Sequence, residues 1–306
     1  MLETAVYGGV NAAVLTAMRA DLSVDLDRMA AHSRWLLANG CNGLGVFGTT
    51  GEANSLGVDE RIELLEGLIG RGVPARVMMP GTGMPSITDT VKLTKHAEAS
   101  GSRGALLLPP YFYKNPSDDG LFAYFSEVIQ RVGGDIKIYL YHFPAQSAVP
   151  FGIDLIGRLL KAYPGKVKGI KDSSGDFANT RGYADHYAKD GFEVYCGDDG
   201  ALHDLLHANG AGCITAAANV GSAVSAQVYA NWNNAAGAAA QVTLAKVRKA
   251  VTSSPLIPGL KTLIARHTGN PDWNYIRPPH LALSAEAAAK ACAAFDATGV
   301  VLKPAV

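Results

Sequence analysis

A lysine closes one of the expected strands of this chain. In "KVKGIKDSSGD" an expected strand ends at Lys171, with Ile170 before it and Asp172 after. Burial among apolar neighbours penalises an ammonium and favours the free amine, a nucleophile toward a carbonyl carbon. The same lysine at a surface would simply pair with Asp172, and the run alone is open to both readings. One expected strand earlier, "IYLYHFPAQS" ends in Tyr141, His142 and Phe143. A phenol at one strand end and an amine at the next lie close together in a barrel, the geometry for moving protons to and from an imine. Taken singly, Tyr141 also reads as a core aromatic and His142 as a buried, hydrogen-bonded histidine.

The third feature is "GLGVFGTTGE" at 43–52, which divides two ways. Its first half, Gly43-x-Gly45-x-x-Gly48, has the spacing of a dinucleotide fingerprint, which needs a strand before the first glycine and a helix starting at the third. Here a helix end, "WLLANGCN", precedes Gly43, and the glycines fall inside the expected strand. Its second half offers the hydroxyls and backbone N–H groups of Thr49 and Thr50 between glycines, a nest of donors suited to a carboxylate. The plain alternative is that Thr49, Thr50 and Glu52 cap a helix beginning near Asp59.

These features must be held by elements that the pattern suggests. Eight short apolar or β-rich runs recur at intervals of roughly 20 to 35 residues, as alternating βα units require: "GVNAAVL", "GLGVF", "ARVMMPG", "GALLLPP", "IKIYLYHF", "VKGIKD", "FEVYCGDD" and "GCITAAA". Amphipathic stretches such as "DLDRMAAHSRWLLANG" and "DERIELLEGLIGRG" lie between them, each closing on a glycine suited to a helix C-cap. Eight units ending near residue 225 predict an α/β fold, a (β/α)8 TIM barrel over residues 1–225. Residues 226–306 are Ala-rich and helical in pattern, a C-terminal extension packed on that barrel.

Composition narrows the partners. Lys plus Arg and Asp plus Glu each count 27 in 306 residues, so no net field favours nucleic acid or an anionic membrane. No apolar run approaches a membrane span, the first residues lack a signal-peptide pattern, and cytoplasm is the expected location. Cys41, Cys196, Cys213 and Cys292 lie far apart with no C-x-x-C pair, indicating neither a zinc site nor a disulfide framework. A small molecule is the expected partner.

Taken together, "GTTGE" at 48–52, the tyrosine of "YHFP" at 141, "GIKD" at 169–172, "GDD" at 197–199 and "GCITAAANV" at 212–220 resemble the dihydrodipicolinate synthase / N-acetylneuraminate lyase superfamily of pyruvate-dependent class I aldolases. The resemblance covers nearly the whole chain, including "LKTLIARHTG" and "IRPPHLALS" beyond the barrel. It implies that Lys171 forms a Schiff base with a 2-oxo acid. Tyr141 would shuttle protons with help from the Thr50 hydroxyl, Thr49 and Thr50 would hold the carboxylate, and Gly197 and Ile214 would line the pyruvate end. It implies no metal or organic cofactor, and a homotetramer built as a dimer of dimers.

Two departures bear on the substrate. Where dihydrodipicolinate synthases carry an arginine two positions after the proline of the tyrosine motif, this chain has Gln146, and a neutral amide makes no bidentate ion pair with a carboxylate. The family's second tyrosine, which reaches across a subunit contact, falls in "PPYFYKNP", where Phe112 and Tyr113 compete for the position with Tyr111 beside them. Short polar side chains at Ser173, Asp198 and Asp199, with His142, suit the hydroxyls of a sugar-derived tail. The resulting expectation is a lyase, aldolase or dehydratase, acting on a 2-keto-3-deoxy sugar acid or similar hydroxylated 2-oxo acid. The alternatives are a 4-hydroxy-tetrahydrodipicolinate synthase and a non-catalytic binding relative.

Overall fold

The structure is a computed structural model that describes residues 5–304. Seven strands form one sheet: β1 (Gly9–Ala13), β2 (Gly43–Gly45), β3 (Gly104–Leu107), β4 (Lys137–His142), β5 (Val167–Asp172), β6 (Glu193–Cys196) and β7 (Gly212–Thr215). Their order is β2-β1-β7-β6-β5-β4-β3, and all pairings are parallel. The run expected as a third strand, "ARVMMPG", instead opens with a 3-10 turn over Ala75–Val77, and residues 78–82 then cross the gap between β2 and β3. Met79 and Gly81 donate to the carbonyls of Leu44 and Val46, while Thr82 N–H bonds Leu106 O and Leu106 N–H bonds Pro80 O. Pro80 has no N–H to give, so the ladder is interrupted where a regular strand would continue, yet the circle closes. Gly81 is obligatory there: a Cβ would lie 2.3 Å from the Phe47 carbonyl oxygen.

Helices cover the outside: α1 (Leu26–Ala38), α2 (Val58–Gly70), α3 (Ile87–Ala99), α4 (Asp118–Val132), the single turn α5 (Pro144–Ser147), α6 (Ile153–Ala162), α7 (Phe177–Tyr187) and α8 (Leu202–His207). After β7 come α9 (Ala218–Ala230), α10 (Ala235–Val251), α11 (Leu256–Thr268) and α12 (Ala285–Asp296). The architecture is the expected TIM barrel with C-terminal helices, and α9 runs unbroken across residue 225. No helix among the described residues is long and apolar enough to cross a membrane.

Two apolar layers hold it. A large cluster between strands and helices contains Val10, Leu44, Ile138, Leu140, Ile170 and Val194, all buried. The barrel interior is a smaller cluster of Tyr7, Met79, Leu106, Tyr139, Tyr141, Tyr195 and Ile214. Its phenols need partners when dry. Tyr139 and Tyr195 donate to the buried Glu193 carboxylate at 2.9 and 2.5 Å, and Tyr7 donates to Met78 O. One end of the barrel is thus plugged by aromatics, leaving the C-terminal strand ends to form the open mouth.

Candidate active site

Parallel register puts Tyr141 of β4 directly beside Lys171 of β5, and Lys171 beside Tyr195 of β6. Neighbours in register share a face, so the phenol and the amine both point inward. Lys171 Nζ sits 4.2 Å from the centroid of the Tyr141 ring, and each residue is 5% exposed. They open into a cavity of about 410 Å³ at the strand C-termini, whose walls include Thr49, Thr50, Ser173, Gly197, Asp198 and Ile214. Eight of the ten residues expected at the site therefore meet in one place.

The remaining two do not. His142 and Asp172 follow Tyr141 and Lys171, and period-two alternation turns them outward against α7. His142 Nδ1 lies 3.0 Å from Asp172 Oδ1, and the carboxylate also accepts from Asn179 at 3.0 Å, Thr180 at 2.6 Å, and Ser174 N–H at 2.9 Å. Burial alone would raise the Asp172 carboxyl, but the bonds from His142, Thr180, Asn179 and the Ser174 N–H together hold it below the usual carboxylate range. Asp172 is thereby occupied, which removes the reading of Lys171 as one half of a surface ion pair. Asp199 is likewise sealed away: it is fully buried, and neither carboxylate oxygen has a hydrogen-bond partner among the described residues. Burial pushes its pKa up to about 6, against the opposing pull of Arg248. The expected substrate contacts of His142 and Asp199 are thus corrected to positions behind the cavity wall.

The 49–52 turn also departs in detail. Thr49, rather than the expected Thr50, faces the phenol, with its Oγ1 3.3 Å from Tyr141 OH. Neither threonine caps α2; Gly57 precedes that helix, and its N–H bonds Glu60 Oε2 at 3.2 Å. Of the fingerprint glycines, Gly43 and Gly45 lie in β2 and Gly48 follows it, and no helix begins at Gly48. Thr16 Oγ1 anchors the turn through Gly51 O at 2.7 Å.

The C-terminal helices contribute more than the sequence suggested. Glu52, in a left-handed conformation (φ 57°), reaches Lys261 of α11 at 2.5 Å and accepts from Arg277 N–H at 3.1 Å. Burial drives the Lys261 ammonium below the ordinary lysine value, opposed by the Glu52 charge. Arg277 grips Glu60 with two bonds of 2.6 and 2.9 Å. The threonine turn is therefore clamped from outside the barrel. Arg248 of α10, Leu256, Ile257 and His280 join the cavity wall directly. A sequence signal existed for Lys261, a single charge inside "LIPGLKTLIA"; Arg248 sits in an ordinary basic helix end and carried none.

Glycine at position 197 makes room for Ser173: a Cβ there would fall 2.0 Å from Ser173 Oγ, displacing that hydroxyl, and 3.1 Å from the Asp172 carbonyl oxygen. Gln146 lines the cavity, while Phe112 and Tyr113 are 69% and 77% exposed and pack edge to face on each other. Tyr111 instead donates to Asn54 Oδ1 at 2.9 Å on the cavity rim. Among the described residues no three His, Cys, Asp or Glu side chains converge as metal ligands would.

Comparison with known proteins agrees with this fold. A family model described as dihydrodipicolinate synthetase matches residues 6–298. An uncharacterized DapA-like lyase of Chloroflexus aurantiacus is 31% identical over 94% of this chain and 96% of its own. A 4-hydroxy-tetrahydrodipicolinate synthase of Agrobacterium fabrum is 30% identical over 86% and 89%. Among solved structures, dihydrodipicolinate synthase from Agrobacterium tumefaciens superposes with a TM-score of 0.88 at 33% identity, covering 95% of this chain and 99% of that one. YagE, an E. coli K12 prophage protein solved in complex with pyruvate, gives 0.88 at 27%, covering 97% and 100%. The family match across the chain and the likeness of the barrel agree, and the chain belongs to the dihydrodipicolinate synthetase family.

Proposed function

We propose that this protein is a class I lyase in which Lys171 forms a Schiff base with a hydroxylated 2-oxo acid. The observation that carries the reading is the Lys171 amine, buried at the cavity floor over the Tyr141 ring while its adjacent carboxylate, Asp172, is engaged elsewhere. Among the described residues no hydrogen-bond or ion-pair partner ties up the nitrogen, and the neighbouring phenol is within reach of a second hydroxyl at Thr49.

In this scheme the substrate carboxylate rests on the Thr49–Thr50 donors and the amine attacks the keto carbon. The carbinolamine oxygen takes a proton through Tyr141 and leaves as water, giving an iminium. In cleavage, the C4 hydroxyl yields its proton and the C3–C4 electron pair flows to the iminium nitrogen. An aldehyde departs, and the remaining enamine takes up a proton at C3 and hydrolyses to pyruvate and free amine. In dehydration, a C3 proton is lost and the C4 hydroxyl leaves as water from the same imine. The chemistry is common to both, and the position of the C4 oxygen relative to Tyr141 selects between them.

Incubation with pyruvate and borohydride, followed by peptide mass analysis, tests the reading. A reduced adduct on Lys171 is expected; a folded protein without one would overturn it in favour of a non-catalytic binding relative. A role in making 4-hydroxy-tetrahydrodipicolinate is disfavoured by Gln146 in the cavity wall, and turnover of pyruvate with aspartate semialdehyde would reinstate it. The exposed Phe112–Tyr113 pair is suited to a subunit contact in a homotetramer, which light scattering would test.

A further inference from the structure

The cavity has a second charged end that the imine chemistry leaves unused. Asp198, on the turn after β6, and Arg248, on α10, meet there with Nε 3.2 Å from Oδ1. This is an incomplete pairing. A guanidinium presents five N–H donors in a planar fork. The closest approach to Asp198 is that of Nε, and no side-chain nitrogen of Arg248 makes a hydrogen bond among the described residues, so the fork as a whole is open to a ligand. Asp198 Oδ1 is also committed to the Gly200 N–H at 2.9 Å, while Oδ2 accepts no hydrogen bond among the described residues. Arg248 is the one arginine lining the cavity among the described residues, and the other carboxylate on the wall, Glu52, is already bound to Lys261.

The pair is also rigidly delivered. Gln241, seven residues before Arg248 on α10, donates to Asp199 O at 3.1 Å and Gly200 O at 2.8 Å, and its Oε1 accepts from His203 N–H. Seven residues are two helical turns, so Gln241 and Arg248 share a face, and the bonds of the first fix the second against the 198–203 turn. The Arg248 stem passes within 3.9 Å of where a Gly200 side chain would begin.

We infer that this end of the cavity recognises an α-hydroxycarboxylate, so that the substrate is a 2-oxo-3-deoxy acid with a second carboxylate at its far end. The free Arg248 fork matches a carboxylate bidentately, and Asp198 Oδ2 accepts the proton of the adjacent hydroxyl. A neutral hydroxymethyl terminus would leave the fork unanswered. The inference rests on Lys171 holding the keto end, and it deepens that reading by naming the substrate class.

Two six-carbon substrates isolate the effect: the 2-oxo-3-deoxy-4,5-dihydroxy diacid, and the monoacid that differs only by CH2OH at C6. The wild-type protein should show kcat/KM at least about tenfold higher for the diacid, and Arg248→Gln should raise KM for the diacid by about 10- to 100-fold while leaving the monoacid nearly unchanged. Arg248→Lys, which keeps the charge but loses the fork, should fall between them and serves if Arg248→Gln does not fold. Equal use of the two substrates by wild type, or an equal loss for both in either variant, would overturn the inference and leave Arg248 a structural role. A pyruvate adduct on Lys171 with no diacid preference sinks this inference alone; a folded wild type with no adduct sinks the imine reading as well.

Discussion

Three pairs of adjacent residues divide this molecule into two chemistries: Tyr141 and His142, Lys171 and Asp172, Asp198 and Asp199. The first member of each pair faces the cavity, whereas the second is sealed behind the wall. The inward set has spare hydrogen-bonding capacity: an amine over a ring, a phenol beside a threonine, a carboxylate with one free oxygen. In the outward His142–Asp172 set the carboxylate is filled by Asn179, Thr180 and Ser174, and Tyr183 lies 3.2 Å from His142 Nδ1, while His142 Nε2 has no partner among the described residues. Reactivity requires unsatisfied groups held still, and the bonded layer is what holds the strand ends still. Asp199 departs from this most: neither of its carboxylate oxygens has a hydrogen-bond partner among the described residues.

Substitutions on the two sides should therefore fail differently. Lys171→Ala should abolish the borohydride adduct and cut turnover by about 10⁴-fold or more, with a thermal midpoint within a few degrees of wild type. Tyr141→Phe should lower kcat by about 10²- to 10³-fold, because the amine remains but its proton relay is gone. Behind the wall, Asp172→Ala should cost about 2–4 kcal/mol of stability, read by denaturant melts, while kcat measured well below the melting temperature falls no more than about tenfold. A larger kcat loss than stability loss would show that the outward layer takes part in the chemistry and would erase the contrast.

Asp199 sharpens the comparison through pH. Burial raises its pKa to about 6, so the folded state holds this proton more tightly than the unfolded chain does. The sign follows: stability associated with Asp199 is present at low pH and is lost as pH rises from about 4 through about 6. Asp199→Asn should accordingly be more stable than wild type above pH 6, by about 1–3 kcal/mol, with the advantage vanishing near pH 4. A stability difference independent of pH would mean that the carboxyl is already neutral at pH 7 or that the loss is one of packing. The smallest effect is expected at Thr49→Val, about tenfold in kcat, since Thr49 only assists Tyr141 across 3.3 Å.

The outward placement of His142 and Asp199 was obscured by adjacency in the chain. "YHFP" and "GDD" present neighbouring polar residues of similar chemistry, and only the strand register decides which of two neighbours faces the barrel axis. The eighth barrel position was visible as "ARVMMPG", yet Pro80 and the preceding 3-10 turn keep it from being a regular strand. Both misreadings concern single-residue steps, to which periodic patterns are least sensitive.

Alternating apolar runs and amphipathic stretches were enough to specify a parallel barrel, because each βα unit carries its own local pattern. Lys171, Tyr141 and the threonine turn were legible for the same reason, each marking a strand end where a barrel collects function. What the chain could not disclose is the work of its last third. Lys261 and Arg277 clamp the Thr49–Glu52 turn, and Arg248 joins the cavity wall beside Asp198, across separations of roughly 50 to 225 residues. Such contacts leave no periodicity in sequence; they exist only once α10 and α11 have docked on the barrel mouth and burial has decided which charges must be paired.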